Sequence, residues 1–343
     1  MAHLNSIPLR FQVISLVCTA AIIVMLFVQE IKKPCMLDPK PAIFKILPAT
    51  TKNFTAQPTK VQVGLTITDF PEFNVEENKF TFSGVVWFEF DPSLISLDTI
   101  SRFSFLKGNI EFKSNPLTRL EGNKVIAEYQ VRVVFKTNLY YGSFPFDDHI
   151  IYLALVNREV NPSEVLFKSS ESDSILTEDL YVSGWTYGDK EVSSGFGSIP
   201  MGSRAFERKR DYPEILFGIH FFHESMRYII SIILPLLIVF FIDLFTFCLD
   251  QNLDHTVLVS VSTGNIISLI AYRFIIESMA PRVGYLLLSD YAFFLFLSNT
   301  FTVFIINCMG PYLQIRQKKI ISLSLQAIII CSFIFLFNVW IPC

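Results

Sequence analysis

Disulfide-forming cysteine is scarce in this chain. There are six in 343 residues, and Cys18, Cys248, Cys308 and Cys331 lie inside apolar runs. Only Cys35 and Cys343 fall outside them, so no disulfide framework holds a domain, and whatever folds here relies on its own core. Catalytic signatures are missing too. The chain has no H-E-x-x-H, no G-x-S-x-G and no phosphate-loop glycine pattern, and its five histidines show no zinc spacing. No enzyme, metal or cofactor is expected on these grounds. Charge is also sparse, at 17% of residues, and the net charge of −3 predicts no nucleic-acid partner.

What the chain has in excess is apolar surface, at 51% of residues, and it is unevenly placed. Residues 60–223 have the mixed texture of a globular domain, whereas nearly everything from Met226 onward is apolar over lengths that cross a bilayer. A helix needs about 20 such residues. Four stretches qualify, 226–249, 257–277, 286–308 and 320–340, so residues 224–343 read as a four-helix transmembrane domain. A fifth apolar run leads the chain. Within residues 1–30, Phe11 to Val28 follows Arg10 and lacks a clear cleavage site, so a signal peptide and a retained membrane anchor both stay open. Residues 31–59 read as a linker.

Basic residues stay on the cytoplasmic side. Arg316, Lys318 and Lys319 crowd the short third connection, which puts that loop inside and leaves the globular domain and the C-terminus outside. The expected location is a plasma or inner membrane crossed several times, with the N-terminal domain extracellular or periplasmic.

The outer domain alternates. KVQVGLTIT sets Val61, Val63, Leu65 and Ile67 on one face, and FTFSGVVWFEF, EYQVRVVF and EILFGIHFF repeat that period of two. No helical period intervenes. The class is an all-β sandwich of about ten strands, somewhat larger than the common type of roughly 100 residues. Within it, SFPFDDH is out of place. Pro145 cannot donate to a ladder and belongs in a loop, while Phe144 and Phe146 beside Asp147 suit a surface that is part apolar and part polar, such as the top of a membrane domain.

The second span carries its own gradient. At spacings of three and four, Thr256, Ser260, Gly264, Ile267, Ala271, Phe274 and Glu277 share one face, small and polar at the inner end, apolar midway, acidic at the outer end. Small residues on a helix face also serve simple bundle packing. A pore lining needs this same order, because water wets one face and an apolar ring closes it.

Taken in order, FPFD, the YIISIILP of the first span, and Pro281, Arg282, Tyr285 and Asp290 after the second resemble the pentameric ligand-gated ion channels. The likeness is to the prokaryotic type without the disulfide loop. HIIYLALVNREV and the SGW at Ser183 to Trp185 fit the same family, and the resemblance runs from about Lys60 to Trp340. It departs from the family at Thr137 and Ile151, where the bracketing cysteines would stand, and at His223, where an arginine is usual.

The resemblance implies a homopentamer embedded in lipid, each subunit with four identical partners and giving its second span to a central pore for inorganic cations. Ile267 would be the apolar gate, Ser260 and Gly264 the inner filter, Glu277 an outer acidic ring. Coupling would run through Phe144, Pro145 and Phe146 against Pro281 to Tyr285, with Asp147, or Glu76 and Glu77, offering a carboxylate to Arg282, and with His223 near Asp147. For a small-molecule agonist, Arg158, Trp185, Tyr187, Phe206 and Tyr212 are the candidates, flanking a loop GDKEVSSGFGSIPMGSRAFERKRD, since aromatic walls hold organic cations and arginine holds carboxylates. His223, with His220, His149 and Asp148, raises protons as the alternative stimulus. Metal binding by His220 and His223 is disfavoured, because residues three apart on a strand face opposite sides. A membrane-anchored sensor that keeps the sandwich and conducts nothing is the other class of protein compatible with these residues. Asp243, deep in the first span, is expected near Arg316, Lys318 and Lys319.

Overall fold

A computed structural model of the chain describes residues 9–31, 38–45, 58–75, 77–201, 208–224, 226–249 and 255–340. Alternating segments became strands. In β2 (Thr59–Asn74), Val61, Val63, Leu65 and Ile67 are all buried on one side. Beside it in the same sheet, β3 (Lys79–Phe90) and β7 (Lys124–Lys136) bury alternate residues in the same way.

The strands form two sheets. The larger runs β10 (Ser174–Leu176), β2, β3, β7 and β5 (Gly108–Lys113), with β6 (Leu117–Glu121) added to β7 and β9 (Val165–Lys168) added to β2. The other runs β1 (Phe44–Lys45), β11 (Trp185–Met201), β12 (Arg208–His223), β8 (His149–Val156) and β4 (Ser104–Phe105). Phenylalanine fills the space between them. Phe82 of the larger sheet meets Phe105 of the smaller with ring centroids 5.4 Å apart, and Phe70 meets Phe221 at 5.6 Å. Offset and edge-on rings of this kind pack densely without disulfides. One short helix, α2 (Leu97–Ser101), is capped by Ser96.

Over its described residues, the segment 188–211 is not the loop that its glycines and serines suggest. Trp185–Met201 and Arg208–His223 are two long antiparallel strands, paired from Trp185 with His223 to Met201 with Arg208. The glycines mark close approach instead of turns. A Cβ at Gly195 would collide with the Phe44 carbonyl oxygen, and one at Gly197 with the side chains of Glu214 and Tyr212.

The second compact unit is helical. It holds α1 (Leu9–Ile31), α3 (Met226–Leu249), α4 (His255–Met279), α5 (Leu288–Cys308) and α6 (Ile315–Phe335), continued by a π turn over Leu336–Trp340. Among the described residues, five helices are long and apolar enough to cross a membrane. Helices lie over the four expected apolar stretches, and the leading segment forms a fifth, in contact with α6 and α3. Residues Tyr141–Asp147, between two strands in sequence, also group with the helices.

Asp243 does not sit among the inner bases. Its Oδ1 accepts a hydrogen bond of 2.7 Å from Asn265 Nδ2. Depth along a helix says nothing about rotation round its axis, and α3 turns Asp243 toward α4. Lys318 and Lys319 lie near the start of α6, both buried.

Candidate functional site

Helix α4 has two unlike faces. Leu258, Ser262, Asn265, Leu269 and Ile276 are buried against its own unit. Thr256, Ser260, Gly264, Ile267, Ala271, Phe274 and Glu277 all lie on the exposed side, with Ile267 at 62% and Phe274 at 70% exposure. The two sets differ by two positions along the chain, which at 100° per residue places them on opposite sides of the cylinder. The apolar Ile267 and Phe274 thus face outward, largely uncovered by the described residues.

The rear face is tied down by polar contacts. Asn265 reaches Asp243 on α3, and Asn307 of α5 donates to both Ser262 Oγ at 2.7 Å and Thr246 Oγ1 at 3.1 Å. Thr246 donates in turn to the Asp243 carbonyl at 2.6 Å. Nearer the other end, Tyr272 donates to the Ser231 carbonyl, and Arg273 pairs with Asp290 at the start of α5. Such interhelical bonds fix rotation where lipid offers no hydrophobic incentive to associate. The sequence reading passed over Asn265, Asn307, Ser262 and Thr246, although Asn265 and Asn307 inside apolar spans were the available signal.

The loop Tyr141–Asp147 is docked on the first turn of α5. The Leu288 N–H donates to the Gly142 carbonyl at 3.0 Å and the Ser289 N–H to the Phe144 carbonyl at 3.1 Å. A helix begins with N–H groups that have no partner in the helix, and here the loop supplies their acceptors. Tyr285 adds a third tie, its hydroxyl accepting from the Tyr141 N–H at 2.9 Å. Phe144 lies edge-on to Tyr228 at 6.0 Å, and Phe146 contacts Phe27 and Phe337 at 5.9 and 6.0 Å. Pro145, which follows a cis peptide bond, and Asp147 are buried. Pro281 is buried and Arg282 exposed. Glu77 is exposed, its N–H held by Asn74 Oδ1 at 3.0 Å. Glu76 lies outside the described residues.

In the sandwich, the proposed ligand residues are not brought together at one place. Trp185 and Tyr187 stand at the end of β11 paired with His223 and Phe221, whereas Tyr212 pairs with Gly197. Eleven steps along β12 at about 3.3 Å each separate His223 from Tyr212, roughly 35 Å. Those three aromatics therefore do not line one cleft. Phe206 lies outside the described residues.

Each end has a cluster of its own. At one, Trp185 stacks on His223 at 4.4 Å and lies 5.4 Å from His149, and the His223 N–H donates to Asp148 Oδ1 at 2.9 Å. The carboxylate that receives the His223 backbone is thus Asp148's. His149 itself is buried against Asp38, Nδ1 to Oδ2 at 3.0 Å, and Asp38 also accepts from the Tyr140 and Ile150 N–H groups. At the other end, the Arg158 guanidinium lies 5.9 Å from the Tyr212 ring centre. Beside them Glu214 is buried, and burial pushes its carboxyl up to about 7 while Arg158 pulls the other way. Burial raises a carboxyl in this way because it disfavours the charged form.

A β-sandwich unit followed in the chain by a bundle of apolar helices, one with a bare face and a fixed back, defines a membrane protein. No family model matches the chain. A proton-gated ion channel of Gloeobacter violaceus is 21% identical over 175 residues, covering 51% of this chain and 46% of the relative. An acetylcholine receptor subunit, alpha-type acr-7, of Caenorhabditis elegans is 27% identical over 105 residues, covering 29% of this chain and 19% of the relative. The chain thus spans about half the length of the first and a fifth of the second. Both similarities support the pentameric ligand-gated ion channels, the family that the residue motifs resemble.

Proposed function

We propose that the chain is one subunit of a homopentameric ligand-gated ion channel, selective for cations and opened from outside by a small molecule or by protons. One observation carries this reading. The face of α4 from Thr256 to Glu277 is left open by its own unit while the opposite face is locked by polar contacts. A helix held at that rotation presents Ile267 to an axis shared with four identical neighbours. Five such side chains form an apolar ring that closes by dewetting, Ser260 and Gly264 form the narrow inner passage, and five Glu277 carboxylates attract cations.

Gating passes through the loop docked on α5. Its two ends continue into β7 and β8, so a change in the sandwich pulls on a segment already bonded to Tyr285, Leu288 and Ser289. Asp147 serves Arg282 as counter-charge. The likeness to a proton-gated channel favours protons as a stimulus, and His223 stacked on Trp185 is the group through which they act. For an organic agonist, the Arg158 and Tyr212 end favours an anionic ligand. The membrane is the plasma or inner membrane, with the sandwich outside.

Purified protein in planar bilayers tests this directly. Currents are recorded while pH is varied, and then with small amines and carboxylates. Cation current on acidification or on one ligand class is the expected outcome, with Ile267→Ser raising resting leak at least about tenfold as the apolar ring is breached. Retention of the acid response in His223→Gln removes the proton reading. Silence under every condition, with Ile267→Ser equally silent, replaces the channel by a non-conducting sensor.

A further inference from the structure

Helix α1 (Leu9–Ile31) carries a pattern that a disposable leader does not need. Gln12, Leu16, Thr19, Ile23 and Phe27, spaced four, three, four and four apart, are all buried, while Ile14, Val17, Val24 and Met25 on the remaining surface are exposed and apolar. One stripe faces protein and the rest suits lipid.

The stripe is used at both ends. In its first half, Ser15 Oγ and Thr19 Oγ1 donate to the same acceptor, Gln326 Oε1 of α6, at 2.6 and 2.9 Å. Gln326 is itself buried, and its Nε2 donates to Ser322 Oγ at 3.4 Å. In its second half, Phe27 meets Phe333 at 5.2 Å and Phe337 at 5.1 Å, and stacks on Phe146 of the docked loop at 5.9 Å. Early residues of α1 thus meet Gln326 and late ones meet Phe333 and Phe337, so the two helices run parallel. A paired polar triad in hydrocarbon is retained for the partner it specifies, because its groups find no substitute in lipid.

We propose that α1 is kept in the assembled protein as a fifth membrane span, registered on α6 by the Ser15, Thr19 and Gln326 contact, and that through Phe27 it positions the loop Tyr141–Asp147. Phe146 is then gripped between α1 and the end of α6. Removing Phe27 opens one wall of that aromatic site and loosens the loop from its side, while leaving the bonds to Leu288 and Ser289 intact. This inference does not depend on ion conduction. It concerns which segments hold the loop, whatever the loop transmits.

Two measurements on the full chain in lipid bilayers test it. The first joins Ser15→Cys to Gln326→Cys with a short bifunctional thiol reagent in a background where Cys18 and Cys331 are serine, followed by mass analysis. Expected is a linked peptide containing residues 9–31, with no link when the second cysteine is paired with Val24→Cys on the exposed side. A purified chain that lacks residues 9–31, or equal linkage from both positions, overturns retention or register. The second follows amide hydrogen exchange. Phe27→Ala is expected to speed exchange in 141–147 by at least about tenfold, since local opening sets that rate, and to leave residues 79–90 of the sandwich unchanged. Val24→Ala is expected to change neither. Unaltered exchange in 141–147 for Phe27→Ala overturns the positioning role, and Phe27→Leu, which keeps an apolar side chain there, supplies the comparison if the alanine variant is not recovered.

Discussion

In the sandwich, Phe82 is enclosed by the rings of Phe70, Phe105 and Phe135, so its cohesion is apolar throughout. In the helical unit, the contacts that register α4 are Asn265 to Asp243, Asn307 to Ser262 and Arg273 to Asp290. The difference follows from the solvent each unit excludes. Water drives phenylalanine together, whereas lipid tails are as apolar as the side chains and leave polar bonds and close packing to decide which helices meet. The same contrast separates roles. The sandwich core is held mainly by phenylalanine, with a few buried polar groups such as Glu214 and His149 toward its ends, while the helical unit spends its polar groups on the back of α4 and so fixes which face is left for another purpose.

The comparison breaks most sharply at a core ring. Phe82→Ala is expected to cost about 3–5 kcal/mol, through lost burial and the cavity left behind, read as a fall in the sandwich's melting transition in the full chain. A loss below about 1 kcal/mol removes the claim that the sandwich depends on its apolar core. Next comes a buried carboxyl of that unit with a raised pKa. Glu214 holds its proton to about pH 7, against an ordinary value of 4.5, so the native state binds more protons than the unfolded one between those limits. Its stabilising contribution is complete below the lower value and is lost as pH rises through the upper one. Glu214→Gln, a neutral mimic, is expected to flatten that decline and to gain up to about 3 kcal/mol at pH 8, with little change near pH 4.5. A decline of unchanged slope in the variant argues against Glu214 as its source. The smallest expected effect lies in the membrane. Asn307→Leu removes bonds to Ser262 and Thr246 and is expected to cost only about 0.6–2 kcal/mol. The visible consequence is a change in which α4 positions react with aqueous thiol reagents once they carry cysteine. An unchanged pattern means that rotation is set by packing alone.

Much of the architecture was legible because it rests on local periods. Val61 to Ile67 announced a strand with one buried side, and four apolar runs announced spans within a few residues of the helices that form. What was not legible rests on pairings distant in the chain. Nothing in FPFD says that Gly142 and Phe144 will cap a helix that begins at Leu288, because an orphan N–H leaves no mark in sequence until its acceptor is known. The segment from Gly188 to Asp211 read as a loop since glycine and serine punctuate it. Those glycines instead make room for Phe44, Tyr212 and Glu214 against the strand, and once the two strands are paired Trp185 and Tyr212 fall at opposite ends. Asp243 was misplaced for a related reason. Rise per residue gives depth, and only the neighbouring helices give rotation. The leading helix was ambiguous by composition, and the contact of Ser15 and Thr19 with Gln326 is a fact about two segments more than 300 residues apart.

The central claim is that the uncovered face of α4 borders water in the assembled protein. Single cysteines placed along α4 in the full chain, reconstituted in bilayers and exposed to a charged, membrane-impermeant thiol reagent, measure it most directly. The account predicts rapid modification at positions 260, 264, 267 and 271, with a period of three to four, and protection at 258, 262, 265 and 269. Protection of the first set together with the second, or reaction without any helical period, would contradict it.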